Sequence, residues 1–297
     1  YANGDPVNYI DPTGRAGYFI DGTHYSELGQ NGSHDGSNNV YLLSQNYNGP
    51  RASHYYRGVG NDLDNTNTIA ATFMGITGYG AGDIASNVYN DIVKNYNVGD
   101  TSVIMAAWSR GNLVAEKVDS MITQYGIPDL SAGTKIEVSY AGYPGAVSTI
   151  KSVPNAYLVA PYSNQKVITQ MHMIDPVYAM GPIPFAHYLG GYDGNLSSTQ
   201  NAFTYLATDN NISLSLDGLL VGTPLNFRTY DSNSSIQYFS SNHADVAGAG
   251  SLHAGANVYN AIINNAESSF GESIFNQGYG YNVNTGLFNK VNTNNYK

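Results

Sequence analysis

Cysteine is absent from the 297 residues, which excludes disulfides and thiolate metal sites and leaves the redox compartment open. Charge is also scarce. Only 11% of residues are charged, and 12 Lys and Arg stand against 22 Asp and Glu, giving a formal charge of −10. With no basic run to neutralise phosphates, the sequence argues against a nucleic-acid partner and against simple electrostatic docking to anionic lipid. No apolar stretch is long enough to span a bilayer. No signal peptide opens the sequence as given, so export is expected by another route or through sequence lying upstream. His24, His34 and His54 form no metal-ligand pattern with close carboxylates, and neither a metal nor a cofactor is expected.

What the chain does contain is an ordinary core fraction, 42% hydrophobic, with abundant Gly, Asn and Tyr that must solvate the surface through amides, hydroxyls and backbone. Strand-like runs at 17–23, 53–60, 101–108, 135–140, 156–160, 167–174 and 236–239 are interleaved with helical patterns. One helix has Ile84, Val88 and Ile92 in an apolar stripe, with Asp83 as its expected cap. Another starts at Asn112 and stops near Gly126, and a late one holds Tyr259, Ile262 and Ile263. Residues 39–43 begin a further apolar segment. This alternation predicts an α/β fold with a mostly parallel sheet flanked by helices. No internal repeat is present. The expected organisation is a turn-rich leader over residues 1–15, a catalytic domain over 16–270, and a Gly-, Asn- and Tyr-rich tail over 271–297.

The most informative position is Ser109. An apolar strand-like run breaks at Trp108-Ser109-Arg110-Gly111 and reopens as a helix, the layout of a nucleophile elbow, in which small residues flank the serine because the turn crowds strand against helix. Ala107 and Gly111 take those flanking places. The N–H of Arg110 then faces the space where an oxyanion would form. Ser131 also satisfies S-x-G, but it follows Pro128-Asp129 with no apolar strand before it.

A serine hydroxyl needs an imidazole to take its proton, and the imidazole needs a carboxylate to hold its tautomer. Asp175 ends the run 167–174 and is followed by Pro176, while His243 lies just past 236–240, so both fall after later strands as an α/β-hydrolase order requires. Rivals remain at this point. His253 is the second candidate base, and Asp217, Asp231 and Asp245 are alternative carboxylates, with Asp245 better suited to orienting the His243 loop. His172 reads as a core histidine, and His187 and Asp193 as loop residues. His24, His34 and His54 precede the serine and break the expected order.

Two resemblances sharpen this picture. Residues 1–15, with Asn8-Tyr9 and the steps Asp5-Pro6 and Asp11-Pro12, resemble the closing motif of the Rhs repeat-associated core, which separates a repeat shell from a C-terminal toxin. Further on, Phe19-Ile20-Asp21-Gly22-Thr23, Asn39-Val40, Tyr55 to Gly60, Trp108 to Gly111, Ile174 to Val177 and His243-Ala244-Asp245-Val246 resemble, in order, the α/β-hydrolase family that includes the first group of type VI lipase effectors. The chain departs from that pattern at Ala107-Trp108, Asn112 and Ala247. The resemblance implies a Ser109, Asp175, His243 triad and a second oxyanion donor from the N–H of Gly22 or Thr23, with Asp21 fastening that turn or acting directly. It also implies a phospholipid substrate and a membrane surface as partners, and an Rhs shell and an immunity protein as further ones. Such a toxin is made in a bacterial cytoplasm, leaves without a signal peptide in this chain, and acts at the membrane of a target cell. Residues 177–185 and 214–225 are expected to form either a lid or acyl groove, or core.

Overall fold

The computed structural model describes residues 15–23, 25–26, 29–30, 38–60, 80–131, 138–139, 149–150, 158–160, 166–176, 196–209, 211–216, 219–224, 234–249, 252–276, 279–282 and 287–290. Its centre is a six-stranded sheet built from β1 (Arg15–Ile20), β2 (Ser53–Tyr56), β3 (Ser102–Trp108), β4 (Ile168–Ile174), β5 (Thr199–Ala207) and β6 (Ser235–Phe239). The spatial order is β6-β5-β4-β3-β1-β2, and every neighbouring pair is parallel. A parallel strand buried on both faces needs apolar side chains at every position rather than at alternate ones. β3 meets that need with Val103, Met105 and Ala107 in one core and Ile104, Ala106 and Trp108 in the other.

Helices cover both faces. Residues of α2 (Ala81–Asn97) and α3 (Gly111–Tyr125) fill the first core, and residues of α1 (Asn39–Asn46) and α5 (Leu252–Phe270) fill the second. Between β6 and α5 lies α4 (His243–Val246), a single turn. The strand order reverses beside β1: the chain steps outward to β2, then crosses back to β3. In open parallel sheets that reversal leaves a crevice beyond the carboxyl ends of the two strands it separates. Here those ends carry Gly22 and Thr23 after β1 and Ser109 after β3.

One local expectation needs correction, and other elements add to what the sequence suggests. Gly80, with φ 90°, occupies the N-cap of α2, and Asp83 lies in the first turn, where a carboxylate complements the helix dipole without capping. Residues 39–46 form a helix because Asn38 caps it, its Oδ1 accepting from the Tyr41 N–H at 3.1 Å. β5 has no counterpart in the sequence reading. Its first half, Thr199-Gln200-Asn201, is polar, and only the second half is fully buried. Within 211–225, Asn211–Leu216 pairs antiparallel with Leu219–Pro224 as a hairpin. In the expected tail, Ile274 and Phe275 are buried, with Phe275 edge-on to Phe19 and Tyr47, and Tyr279–Asn282 pairs with Leu287–Lys290. The leader up to residue 14 lies outside the described residues, as do 177–185 and His24, His34, His187, Asp193, Asp217 and Asp231.

A buried polar chain joins α5 to the sheet. Gln170 Nε2 donates to the Ala266 carbonyl at 3.3 Å, so its Oε1 is left to accept from His172 Nε2–H at 2.9 Å. The other ring nitrogen, Nδ1, then accepts from the Tyr205 hydroxyl at 2.9 Å, which in turn accepts from Asn265 Nδ2 at 3.0 Å. Every link has one direction, and the ring is neutral. Burial pushes the His172 imidazole down to about 3. Because its folded pKa is depressed below the unfolded value, stability is retained above that unfolded value, near 6.5, and lost as pH falls from there toward 3. Urea unfolding of the wild type between pH 7 and 4 should show this loss, at up to roughly 1.4 kcal/mol per pH unit, and His172→Gln should flatten that part of the slope. Equal slopes in the two proteins would remove His172 as its source.

Candidate active site

Ser109 stands in the tight turn between β3 and α3. It has φ 53°, a left-handed backbone rare for a residue with a Cβ and costing on the order of 1–2 kcal/mol. What holds it there is local. The Ser109 N–H donates to the Ile174 carbonyl at 2.9 Å, and the Asn112 amide donates to both the Ser109 carbonyl at 2.9 Å and the Ile174 carbonyl at 3.0 Å. Asn112 is one of the departures from the family pattern, and it staples the elbow to the neighbouring strand end. Gly111 explains the second small residue, because a Cβ there would stand 2.6 Å from the carbonyl oxygens of both Ile20 and Asp21.

Asp175 follows Ile174 directly and, among the described residues, is the other non-glycine residue with positive φ, 37°. Its N–H donates to the Tyr205 carbonyl at 2.8 Å, and its Oδ1 accepts from the Ala207 N–H at 3.2 Å. The other oxygen, Oδ2, lies 2.7 Å from His243 Nδ1, with the Asp175 side chain fully buried. An ionised carboxylate only accepts, so Nδ1 carries the proton and Nε2 of a neutral ring is left as an acceptor. His243 opens α4, whose N-cap Asn242 accepts from the Asp245 N–H at 3.0 Å while its amide donates to Asp245 Oδ2 at 2.9 Å. Asp245 thus braces the histidine turn. The His243 ring lies 5.5 Å from that of Trp108, the residue before Ser109, so the histidine turn reaches the elbow across the indole.

The turn after β1 forms the opposite wall. Asp21 is fully buried; its Oδ1 accepts from the Gly22 N–H at 2.7 Å and from Asn38 Nδ2 at 2.6 Å, and its Oδ2 accepts from the Tyr55 hydroxyl at 2.5 Å. The carboxylate therefore fastens the turn and takes up the Gly22 N–H. Gly22 lies flat against Trp108, where a Cβ would stand 2.6 Å from the indole ring. A Cβ on Gly58 would fall on the Gly22 carbonyl. Among the described residues, the Thr23 hydroxyl and the Trp108 indole N–H are buried without a hydrogen-bond partner. Arg110 is the N-cap of α3, so its N–H belongs to the first turn, where such groups lie outside the helical ladder. Burial pushes its guanidinium down to about 10.

The rival histidines among the described residues lie elsewhere in the fold. His172 is locked in the polar chain beneath the sheet. His54 stacks on Tyr18 at 5.0 Å and meets Asn95 at 2.8 Å, and His253 falls in the first turn of α5. Asn38, Asn39 and Asn112 were not singled out by chemistry in the sequence, though Asn39 stood in the family pattern and Asn112 stood out as a departure from it. Among the described residues, no group of three or more His, Asp or Glu is placed to hold a metal ion.

Gly111→Ala is expected to destabilise the fold by about 1–3 kcal/mol, since the methyl meets backbone that cannot swing aside. Chemical denaturation of the purified variant checks this; unchanged stability would mean that β1 does not press on the elbow as described.

Residues 18–172 match the family described as "T6SS, Phospholipase effector Tle1-like, catalytic domain". No curated protein matches the chain. Among solved structures, an uncharacterized protein from Pseudomonas aeruginosa is similar at 12% identity and a TM-score of 0.44, over 88% of this chain and 46% of that one. The Tle1 effector bound to the VgrG spike of the type 6 secretion system is similar at 12% identity and a TM-score of 0.38, over 79% of this chain and 50% of that one. The chain thus spans about half the length of these solved relatives. With more than half of its 297 residues matched, the chain belongs to the Tle1-like phospholipase effector family of the type VI secretion system, through that family's catalytic domain.

Proposed function

We propose that the protein hydrolyses carboxylic esters of membrane phospholipids through an acyl-serine intermediate, with Ser109 as nucleophile, His243 as base and Asp175 as its orienting carboxylate. The observation that carries this reading is the buried 2.7 Å Asp175–His243 pair, set beside a serine held in left-handed backbone on the adjacent strand end. His243 Nε2 takes the Ser109 proton as Oγ attacks the ester carbonyl. The tetrahedral oxyanion is received by the Arg110 N–H and by Thr23. Of the two donors expected after β1, Thr23 is the better placed, since the Gly22 N–H already serves Asp21. Collapse breaks the ester C–O bond, His243 returns its proton to the leaving alkoxide, and water then repeats the sequence on the acyl-serine to release a fatty acid.

Family membership and the site together support phospholipid as substrate, and an acidic chain with little positive charge would have to engage a bilayer through apolar surface and acyl capture. The Rhs-like residues 1–15 support delivery as cargo of an Rhs shell into a target cell, with an immunity protein guarding the producer.

Incubated with phospholipid vesicles, the wild type should release fatty acid and lysophospholipid identifiable by mass spectrometry. Ser109→Ala should lower turnover by at least about three orders of magnitude with the fold intact, and a fluorophosphonate should label Ser109 alone. Cleavage of short soluble esters with nothing released from vesicles or mixed micelles would assign a soluble esterase instead. Cleavage of neither would point to a binding module.

A further inference from the structure

We propose that the adjacent asparagines Asn38 and Asn39 are positioning residues that tie the Asp21–Thr23 turn to the His243 loop, so that the two walls of the site keep one mutual register; this rests on the catalytic reading above. The two side chains face opposite walls. Asn38 donates from Nδ2 to Asp21 Oδ1 at 2.6 Å, the same oxygen that holds the Gly22 N–H, while its own Oδ1 caps α1. Asn39 points the other way and spends three donors on the histidine side. Its backbone N–H donates to the Ala247 carbonyl at 2.7 Å, and its amide donates to the carbonyls of Val246 at 3.1 Å and Gly255 at 2.8 Å.

The contact behind these bonds is close. Gly248, with φ +77°, lies against Asn39, where a Cβ would stand 2.8 Å from Oδ1, and a Cβ on Gly255 would stand 2.5 Å from the Gly248 Cα. No side chain fits between Asn39 and the loop that follows His243. Both asparagines are buried, Asn39 fully. Stability alone would be served more cheaply by apolar residues, because a buried amide repays its desolvation only through well-formed hydrogen bonds. What a directional amide adds is placement, and a displacement near 1 Å at a reacting centre costs on the order of 100-fold in rate.

Two substitutions separate placement from stability. Serine and asparagine are equivalent as helix caps, so Asn38→Ser keeps α1 capped but is too short to hold Asp21. Asn39→Asp keeps the shape and the backbone bond to Ala247, and replaces an amide donor by an acceptor facing two carbonyls. With a soluble short-chain p-nitrophenyl ester, each variant should show kcat lowered on the order of 10- to 100-fold with KM within about twofold of wild type. The rate at which a fluorophosphonate labels Ser109 should fall in parallel, and Asn38→Ser should melt within a few degrees of wild type. Wild-type kcat and labelling rate in Asn38→Ser would overturn the proposal even if Asn39→Asp fails to fold. Failure of the wild type to be labelled at Ser109, or full activity in Ser109→Ala, would instead overturn the catalytic reading, and the tie with it.

Discussion

The site depends on the parallel pairing of β3 with β4, through which two neighbouring strands end at the same level with Trp108 opposite Ile174. Beyond that last pair, both chains turn through left-handed backbone at residues that are not glycine, Ser109 and Asp175. Neither turn would be stable alone. They are held by a shared carbonyl, that of Ile174, which receives the Ser109 N–H and the Asn112 amide, and by the Tyr205 carbonyl of the next strand, which receives the Asp175 N–H. A hydroxyl and a carboxylate are thereby brought out at one sheet end by pairing that was already required to build the core. His243, arriving after β6, meets a carboxylate whose direction is fixed on both oxygens.

The chain's low charge content has a structural counterpart in its interior. Where many proteins would join elements by ion pairs, this one often uses asparagine. Asn38 and Asn39 join α1 to both walls of the site, Asn46 joins it to Tyr259 of α5, Asn95 joins α2 to Tyr18 of β1, and Asn112 joins α3 to β4. An amide presents two donors on one short, neutral side chain, so it ties neighbouring elements together without the desolvation cost of burying opposite charges. The Lys94–Asp91 ion pair lies at the surface, while Arg51 reaches the buried Asp100.

Much of the fold was legible because its period was strong. β3 is a continuous apolar run, β4 keeps Ile168, Met171, Met173 and Ile174 around its polar Gln170 and His172, α2 and α3 carry clear stripes, and their alternation specifies a parallel sheet. β5 was not legible, since its polar first half lies where burial is incomplete and only its partners on both sides define it. The α1 segment looked apolar without revealing its type; its helical start rests on Asn38, whose cap and whose bond to Asp21 are decided together by tertiary structure. At the proposed site, Ser109, Asp175 and His243 stand out in the sequence because each follows a strand, in a fixed chain order. The roles of Asn39 and Asn112 do not, as an asparagine beside a helix start reads locally as a cap. Nor does the engagement of the Gly22 N–H, which turns on where one carboxylate oxygen points.

The directed polar chain under the sheet has a mechanical consequence for α5. Apolar helix faces can slip along a sheet by small shear steps, because one methyl contact substitutes readily for another. α5 has no such freedom at Asn265 and Ala266: a shift by one residue would take the Asn265 donor from the buried Tyr205 hydroxyl and the Ala266 carbonyl from the buried Gln170 amide at one stroke, leaving only the bonds of His172 within the sheet. The helix is keyed rather than greased. Since the carbonyl of Gly255, near its first turn, receives Asn39, the same key that fixes one end of α5 against β4 and β5 sets the height at which its other end meets the site.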